Sequence, residues 1–247
     1  MAYTIDTLLN DDPNSLTLTG RSGGLAASAT FTISENTLTI VLTNTSSSDV
    51  LNNARLLTAL FWNSSTSLSL TNATAILSFG SGVYNGNNTT PTNPPGNNVG
   101  GEWAYLSGLS GAPGGTSQGI SSVGLGLFGK SNFPNSSNLD KNEALSGDQY
   151  GITSAGDNLT TGNTPILNDP HIKNSVTFTF QLPQGTTQFN FTDVSFQYGS
   201  ALTDANLSAA LFPSDGFNPV PLPPTVLLLG TGLVGLGLLR RQRSLKK

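Results

Sequence analysis

The sequence predicts an all-β protein: an antiparallel β-sandwich of jelly-roll-like order, with long Gly/Asn/Pro-rich loops and one C-terminal transmembrane helix. Three observations predict it. Short segments alternate apolar with small or polar residues at period two, and Gly, Asn and Pro punctuate them. No long amphipathic helical pattern occurs in the body. A final uncharged apolar stretch ends on a cluster of arginines.

The elements follow in order. Residues 29–33 (Ala-Thr-Phe-Thr-Ile) and 37–43 (Thr-Leu-Thr-Ile-Val-Leu-Thr) alternate, with Ser34, Glu35 and Asn36 as turn material, and read as a hairpin. The first of them places Phe31 and Ile33 on one face. Residues 55–62 form a more continuous apolar run, consistent with a strand buried on both faces. Residues 67–71 and 75–79 read as two further strands. In 175–182, Val176, Phe178, Phe180 and Leu182 share a face, and Pro183, Gln184 and Gly185 turn the chain into a strand at 187–198. Residues 201–211 fit a short helix or a strand. Segments 85–101, 108–119 and 132–162 read as loops, long enough to carry function. Many short strands joined by such turns argue for a sandwich.

Charged residues are only 10% of the 247, and Thr, Ser, Asn and Gly stand in their place. The net charge of −4 hides an asymmetry: Arg240, Arg241, Arg243, Lys246 and Lys247 are half of the 10 basic residues, and no acid follows Asp215. Five basic against fourteen acidic residues leave the body at −9, a charge that repels phosphate backbones and argues against nucleic-acid binding. With no cysteine there is no disulfide, thiolate metal site or Cys nucleophile. The first residues offer neither a basic n-region nor an apolar h-region of about 7–15 residues. Either the start is wrongly chosen or truncated, which the C-terminal segment 220–247 favours, or the protein is not exported by the Sec route.

The chain divides into a surface domain (1–210), a spacer (211–219) and a C-terminal signal (220–247). From Val220 the uncharged stretch reaches 20 residues, spanning length at ~1.5 Å per residue. Pro221, Pro223 and Pro224 keep its start from being helical, which confines the membrane helix to 225–239. Arg240, Arg241 and Arg243 follow at once and anchor the cytoplasmic side, so the body faces out.

Val220-Pro221-Leu222-Pro223, then a Gly-rich apolar helix, then Arg240-Arg241-Gln242-Arg243, resembles the PEP-CTERM sorting signal of bacteria. The usual motif has Glu between the prolines; Leu222 matches the Val-Pro-Leu-Pro-Ala variant. The resemblance implies that an exosortase, a membrane peptidase, recognises the motif at the inner membrane, removes the tail and passes the body to the cell exterior. Residues 100–105, 119–122, 126–129, 149–158 and 196–202 look like segments of an exosortase-dependent surface-protein family common in cyanobacteria. That family supplies location rather than chemistry.

Chemistry in the body is sparse. His171 is the one histidine, and it lacks a Gly-x-Ser-x-Gly context, so it reads as a loop or strand-edge residue. Asp140, Glu143, Asp148 and Asp157 share a polar region, and Asp11 and Asp12 are adjacent, but no EF-hand-like loop is present. One His and no Cys argue against zinc. No metal or cofactor is expected. The Gly-rich 119–129 lacks the lysine of a P-loop. Trp62 follows Leu60-Phe61 and reads as core; Trp103, after a Gly/Asn loop, is the candidate glycan contact. These residues favour a non-catalytic surface or matrix protein of structural or adhesive role. A carbohydrate-binding module that holds extracellular polysaccharide is the alternative, and a hydrolase a distant third.

Overall fold

Hydroxyl side chains alternating with bulky apolar ones lay down the sheets, because successive strand residues point to opposite faces. The computed structural model describes residues 2–6, 15–66, 68–86, 88–134, 138–139 and 148–211. In chain order the strands are β1 (Ala2–Asp6), β2 (Ser15–Ser22), β3 (Leu25–Ser34), β4 (Thr37–Asn44) and β5 (Leu57–Ser64). Then come β6 (Ser69–Leu77), β7 (Gly82–Asn85), β8 (Ala104–Ser107), β9 (Gln118–Ser121) and β10 (Ile152–Thr153). After α1 (Thr164–Asn168) follow β11 (Pro170–Lys173), β12 (Ser175–Gln181), β13 (Gln188–Tyr198), β14 (Asn206–Ser208) and β15 (Ala210–Leu211).

The strands make two sheets. One has six strands in the order β15-β2-β3-β4-β12-β6. The other has nine: the path β1-β13-β5-β10-β11-β7, with β14 on β13 and the β8–β9 pair on β5. Among the described residues, pairing departs from the expected antiparallel pattern at one place, where Ile152 and Thr153 of β10 run parallel to Ile172 and Lys173 of β11. A parallel pair needs a crossover, and residues 154–169, including α1, provide it.

The sheets meet through aromatic rings. Phe31 of β3 stacks on Phe191 of β13 with centroids 4.4 Å apart, and stands edge-on to Trp62 of β5 at 6.4 Å. Tyr105 of β8 meets Phe180 of β12 at 5.2 Å. The hairpin expected at 29–43 is β3–β4, and Phe31, Ile33, Leu38, Ile40 and Leu42 are fully buried. Val176, Phe178, Phe180 and Leu182 are buried together as their spacing predicts. In β5, Leu60 and Trp62 enter this core, whereas Ala59 and Phe61 join a second cluster with Val123, Leu125, Phe128 and Phe133. Burial on both faces of β5 thus has a cause: the segment beyond β8 covers the outer side of the nine-stranded sheet.

Other expectations need correction. The two strands read at 67–71 and 75–79 are one, β6, which stops at Leu77. The 183–185 turn forms, with Thr186 N–H donating to Pro183 O at 3.1 Å and Gly185 at φ 80°. It joins β12 of one sheet to β13 of the other, and so makes no hairpin. Residues 201–211, open between helix and strand, hold β14 and β15, and Leu211, assigned to the spacer, ends β15. Residues 1–211 form one compact unit. No helix among the described residues is long and apolar enough to cross a membrane. The helix expected at 225–239 lies outside the described residues.

Candidate functional site

Val220, Pro221, Leu222, Pro223, Arg240, Arg241 and Arg243 also lie outside the described residues, as do Asp11, Asp12, Asp140 and Glu143. The body's candidates can be placed.

Trp103 is not an exposed platform. It follows a single 3-10 turn (Gly100–Glu102), which tips its ring inward between the sheets. It is 4% exposed and packs edge-on against Phe178 with centroids 5.0 Å apart. A ring already enclosed on both sides has no free face for a sugar. Beside it lies a cavity of about 50 Å³ lined by Ala75, Tyr105, Ile120, Phe178 and Phe180 among others. That is room for a water or two, not a pyranose. Trp62, read as core, is fully buried and lies nearly parallel to Tyr105 at 6.2 Å.

His171 sits within β11 rather than in a loop, and it is buried. Its register partner is Tyr84 of β7. Its Nε2 stands 3.8 Å from Asp148 Oδ2, beyond hydrogen-bond length, and neither atom has a hydrogen-bond partner among the described residues. Sequence reading placed both residues but not their meeting; 22 positions separate them and only the β10–β11 crossover joins them. Among the described residues no group of three His, Asp or Glu side chains could hold a metal ion.

Asp157 works locally. Its Oδ1 accepts the Val50 N–H at 2.8 Å, and its carbonyl accepts from Lys173 Nζ at 2.7 Å. Burial raises its carboxyl above the usual range; the Val50 N–H pulls it down, Asp49 pushes it up, and Lys173 pulls it down. A carboxyl raised in the folded state holds its proton more tightly there than in the unfolded chain. Its contribution to stability therefore falls as pH climbs through the carboxylate range. Asp157→Asn keeps an acceptor for Val50 and removes the buried charge, so stability at neutral pH is expected to hold or rise. Asp157→Ala strands the Val50 N–H and is expected to cost about 1–3 kcal/mol. Urea unfolding at pH 5 and pH 7 separates the two; equal losses in both variants would refute the capping role.

The outer face of the six-stranded sheet is an ordered polar surface. Register places Thr17, Thr30, Val41, Thr177 and Ile76 side by side across β2, β3, β4, β12 and β6. The next row is Ser15, Thr32, Thr39, Thr179 and Thr74. Each position is half-buried or exposed, and the residues between them point into the core. Neighbours bond across strands: Thr17 and Thr30 hydroxyls at 2.8 Å, Thr32 Oγ1 donating to Ser15 Oγ at 3.0 Å, and Ser78 with Thr177 at 2.8 Å. Neither row contains a charge. At the β6 edge the turn 78–81 closes, with Ser81 N–H donating to Ser78 O at 3.0 Å and Gly80 at φ 78°. It holds Phe79 wholly in solvent, at 104% exposure. The signal for this surface was in the sequence as Thr-x-Thr at 17–19, 30–32, 37–39 and 177–179. The apolar residues of these segments mark the core, and the positions alternating with them build the outer face together.

Compared with protein-family models, with curated proteins and with solved structures, the chain matches none, so its functional reading rests on its own residues.

Proposed function

We propose that this chain is an exported bacterial cell-surface or extracellular-matrix protein, sorted by an exosortase through residues 220–247, with a structural or adhesive rather than catalytic role. The observation that carries it is the order of the tail: Val220-Pro221-Leu222-Pro223, an uncharged apolar stretch, then Arg240, Arg241 and Arg243. The proposal includes a membrane helix at 225–239 and a jelly-roll-like order for the two-sheet body. Prolines at 221, 223 and 224 deny the backbone a helix, because each lacks an N–H and restricts the residue before it. An extended segment at the membrane surface is what a peptidase needs in order to align a peptide bond.

The mature protein is therefore expected to end near Val220 and to lack the basic cluster. Mass spectrometry of the exported protein, from a host with its own exosortase and from an exosortase-deficient strain, checks this. Recovery of an intact Lys247 terminus in equal amounts from both would reduce the tail to a plain membrane anchor. The second reading, a body that holds extracellular polysaccharide, is favoured by the uncharged hydroxyl rows on the six-stranded sheet and not by Trp103.

A further inference from the structure

We propose that the outer face of the six-stranded sheet, with Phe79 at its edge, is a binding surface for a flexible, neutral, hydroxyl-rich polysaccharide. The inference deepens the second reading above by assigning it a surface and a ligand class.

The two rows place hydroxyls about 4.8 Å apart across strands and about 6.7 Å apart along them. These distances are on the scale of a sugar ring and its substituents. Each threonine offers a hydroxyl that donates and accepts and a methyl that is apolar, the same mixture a pyranose edge presents. The cross-strand bonds at Thr17–Thr30 and Ser15–Thr32 fix hydroxyl positions while leaving lone pairs free. Val41 and Ile76 interrupt the upper row with apolar patches. Exclusion of charge matters, since a neutral polymer then docks without stripping water from an ion.

Phe79 is an independent pointer. A fully exposed phenyl ring gains nothing in water, yet Phe79 follows Ser78, whose hydroxyl bonds Thr177 of the array, and precedes Gly80, whose positive φ turns the chain at the sheet edge. Its ring offers a flat face for the apolar side of a sugar, the role Trp103 cannot fill.

Two physical limits narrow the ligand. A sheet twists by roughly 20–25° per strand, so five neighbouring strands turn through about 80–100°. A rigid crystalline surface would touch only two or three of them, whereas a flexible chain can follow the twist. The body's charge of −9 repels acidic polymers.

Affinity electrophoresis of the full chain in a non-sugar, non-ionic detergent tests this, with hydroxyethylcellulose, dextran or mannan cast in the gel. In added salt, which screens the basic cluster at 240–247, retardation by at least one of the neutral polymers, and none by alginate, is expected. Thr30→Val, Thr39→Val, Thr177→Val and Thr179→Val combined keep the β-branch and remove four hydroxyls, and should weaken binding about tenfold or more. The matching four Thr→Ser changes should retain it, and Phe79→Ala should weaken it severalfold. Thermal melts confirm folding of each variant. No retardation by any neutral polymer, equal retardation by alginate, or binding indifferent to both the Thr→Val set and Phe79→Ala would overturn the proposal. So would concentration-dependent self-association abolished by the Thr→Val set, which would make a second copy the occupant. The export reading stands or falls separately, on the mature C-terminus.

Discussion

Phe31→Ala is expected to lower the stability of the body by about 3–5 kcal/mol. The ring is fully buried in β3, stacked on Phe191 and edge-on to Trp62, both from the opposite sheet. Phe191 in turn contacts Tyr3 and Phe189 at 5.5 and 5.6 Å, so a cavity at Phe31 opens beneath a continuous aromatic layer. Ring pairs of this geometry add to the transfer term, which places the expected loss toward the upper end. The chain has no cysteine to cross-link the sheets, so their cohesion rests on such contacts. Set against a typical total of about 5–15 kcal/mol, the loss is a large fraction. Urea unfolding of the full chain in detergent should show a lower midpoint at unchanged slope. Thr30→Ala, one residue away and facing outward, should cost less than about 1 kcal/mol. A Phe31→Ala loss no larger than that of Thr30→Ala would mean the two sheets are not held together there.

That contrast between adjacent positions shows what was legible in the sequence. Period-two alternation around Phe31, Leu38 and Phe178 marks both the strands and their buried faces, because a register slip by one residue would turn every apolar side chain outward. The β2–β3 hairpin, not among the expected elements, carried a comparable signal. Gly23 and Gly24 both sit at positive φ, 57° and 83°, as a two-residue turn between alternating segments requires. Strands of two to four residues such as β7, β9 and β10 were not legible. A segment that short has too few residues to show a period, and its pairing is set by what lies opposite it. Sheet membership was hidden as well: the 183–185 turn looks the same whether it closes a hairpin or carries the chain across the core.

The site was legible in kind but not in place. Hydroxyls and amides stand where charges usually do, and the Gly/Asn loop before Trp103 marked it as the aromatic contact. Burial reversed that choice. The loop folds back as a 3-10 turn, and Phe178 from the other sheet supplies the partner for the ring. Phe79 looked like the end of a strand, yet it lies two residues beyond the last register pair at Leu77 and is fully exposed. The Asp148–His171 meeting was hidden for a different reason, since only a crossover brings two distant segments side by side.

Changing Arg240, Arg241 and Arg243 together to asparagine is expected to uncouple the body's export from its processing. Moving an arginine to the bilayer centre costs about 2.5–3.5 kcal/mol on insertion scales, so in the proposed topology three together would hold the tail on the cytoplasmic side. The uncharged stretch before them has Gly230, Gly232, Gly235 and Gly237 among its leucines, which in a membrane would lower its own hydrophobic hold on the bilayer. Without the cluster, Lys246 and Lys247 alone would resist passage, and the motif at 220–223 would no longer be kept at a fixed depth. With a Sec signal peptide on both proteins, wild type should yield a protease-accessible body lacking its tail. The triple variant should yield mostly uncut protein, with part of it losing its membrane association. Protease treatment of intact cells, followed by mass spectrometry of the C-terminus, reads both outcomes. Processing and orientation unchanged by the three substitutions would remove the basic cluster from the sorting signal and leave the prolines and the apolar stretch to carry it alone.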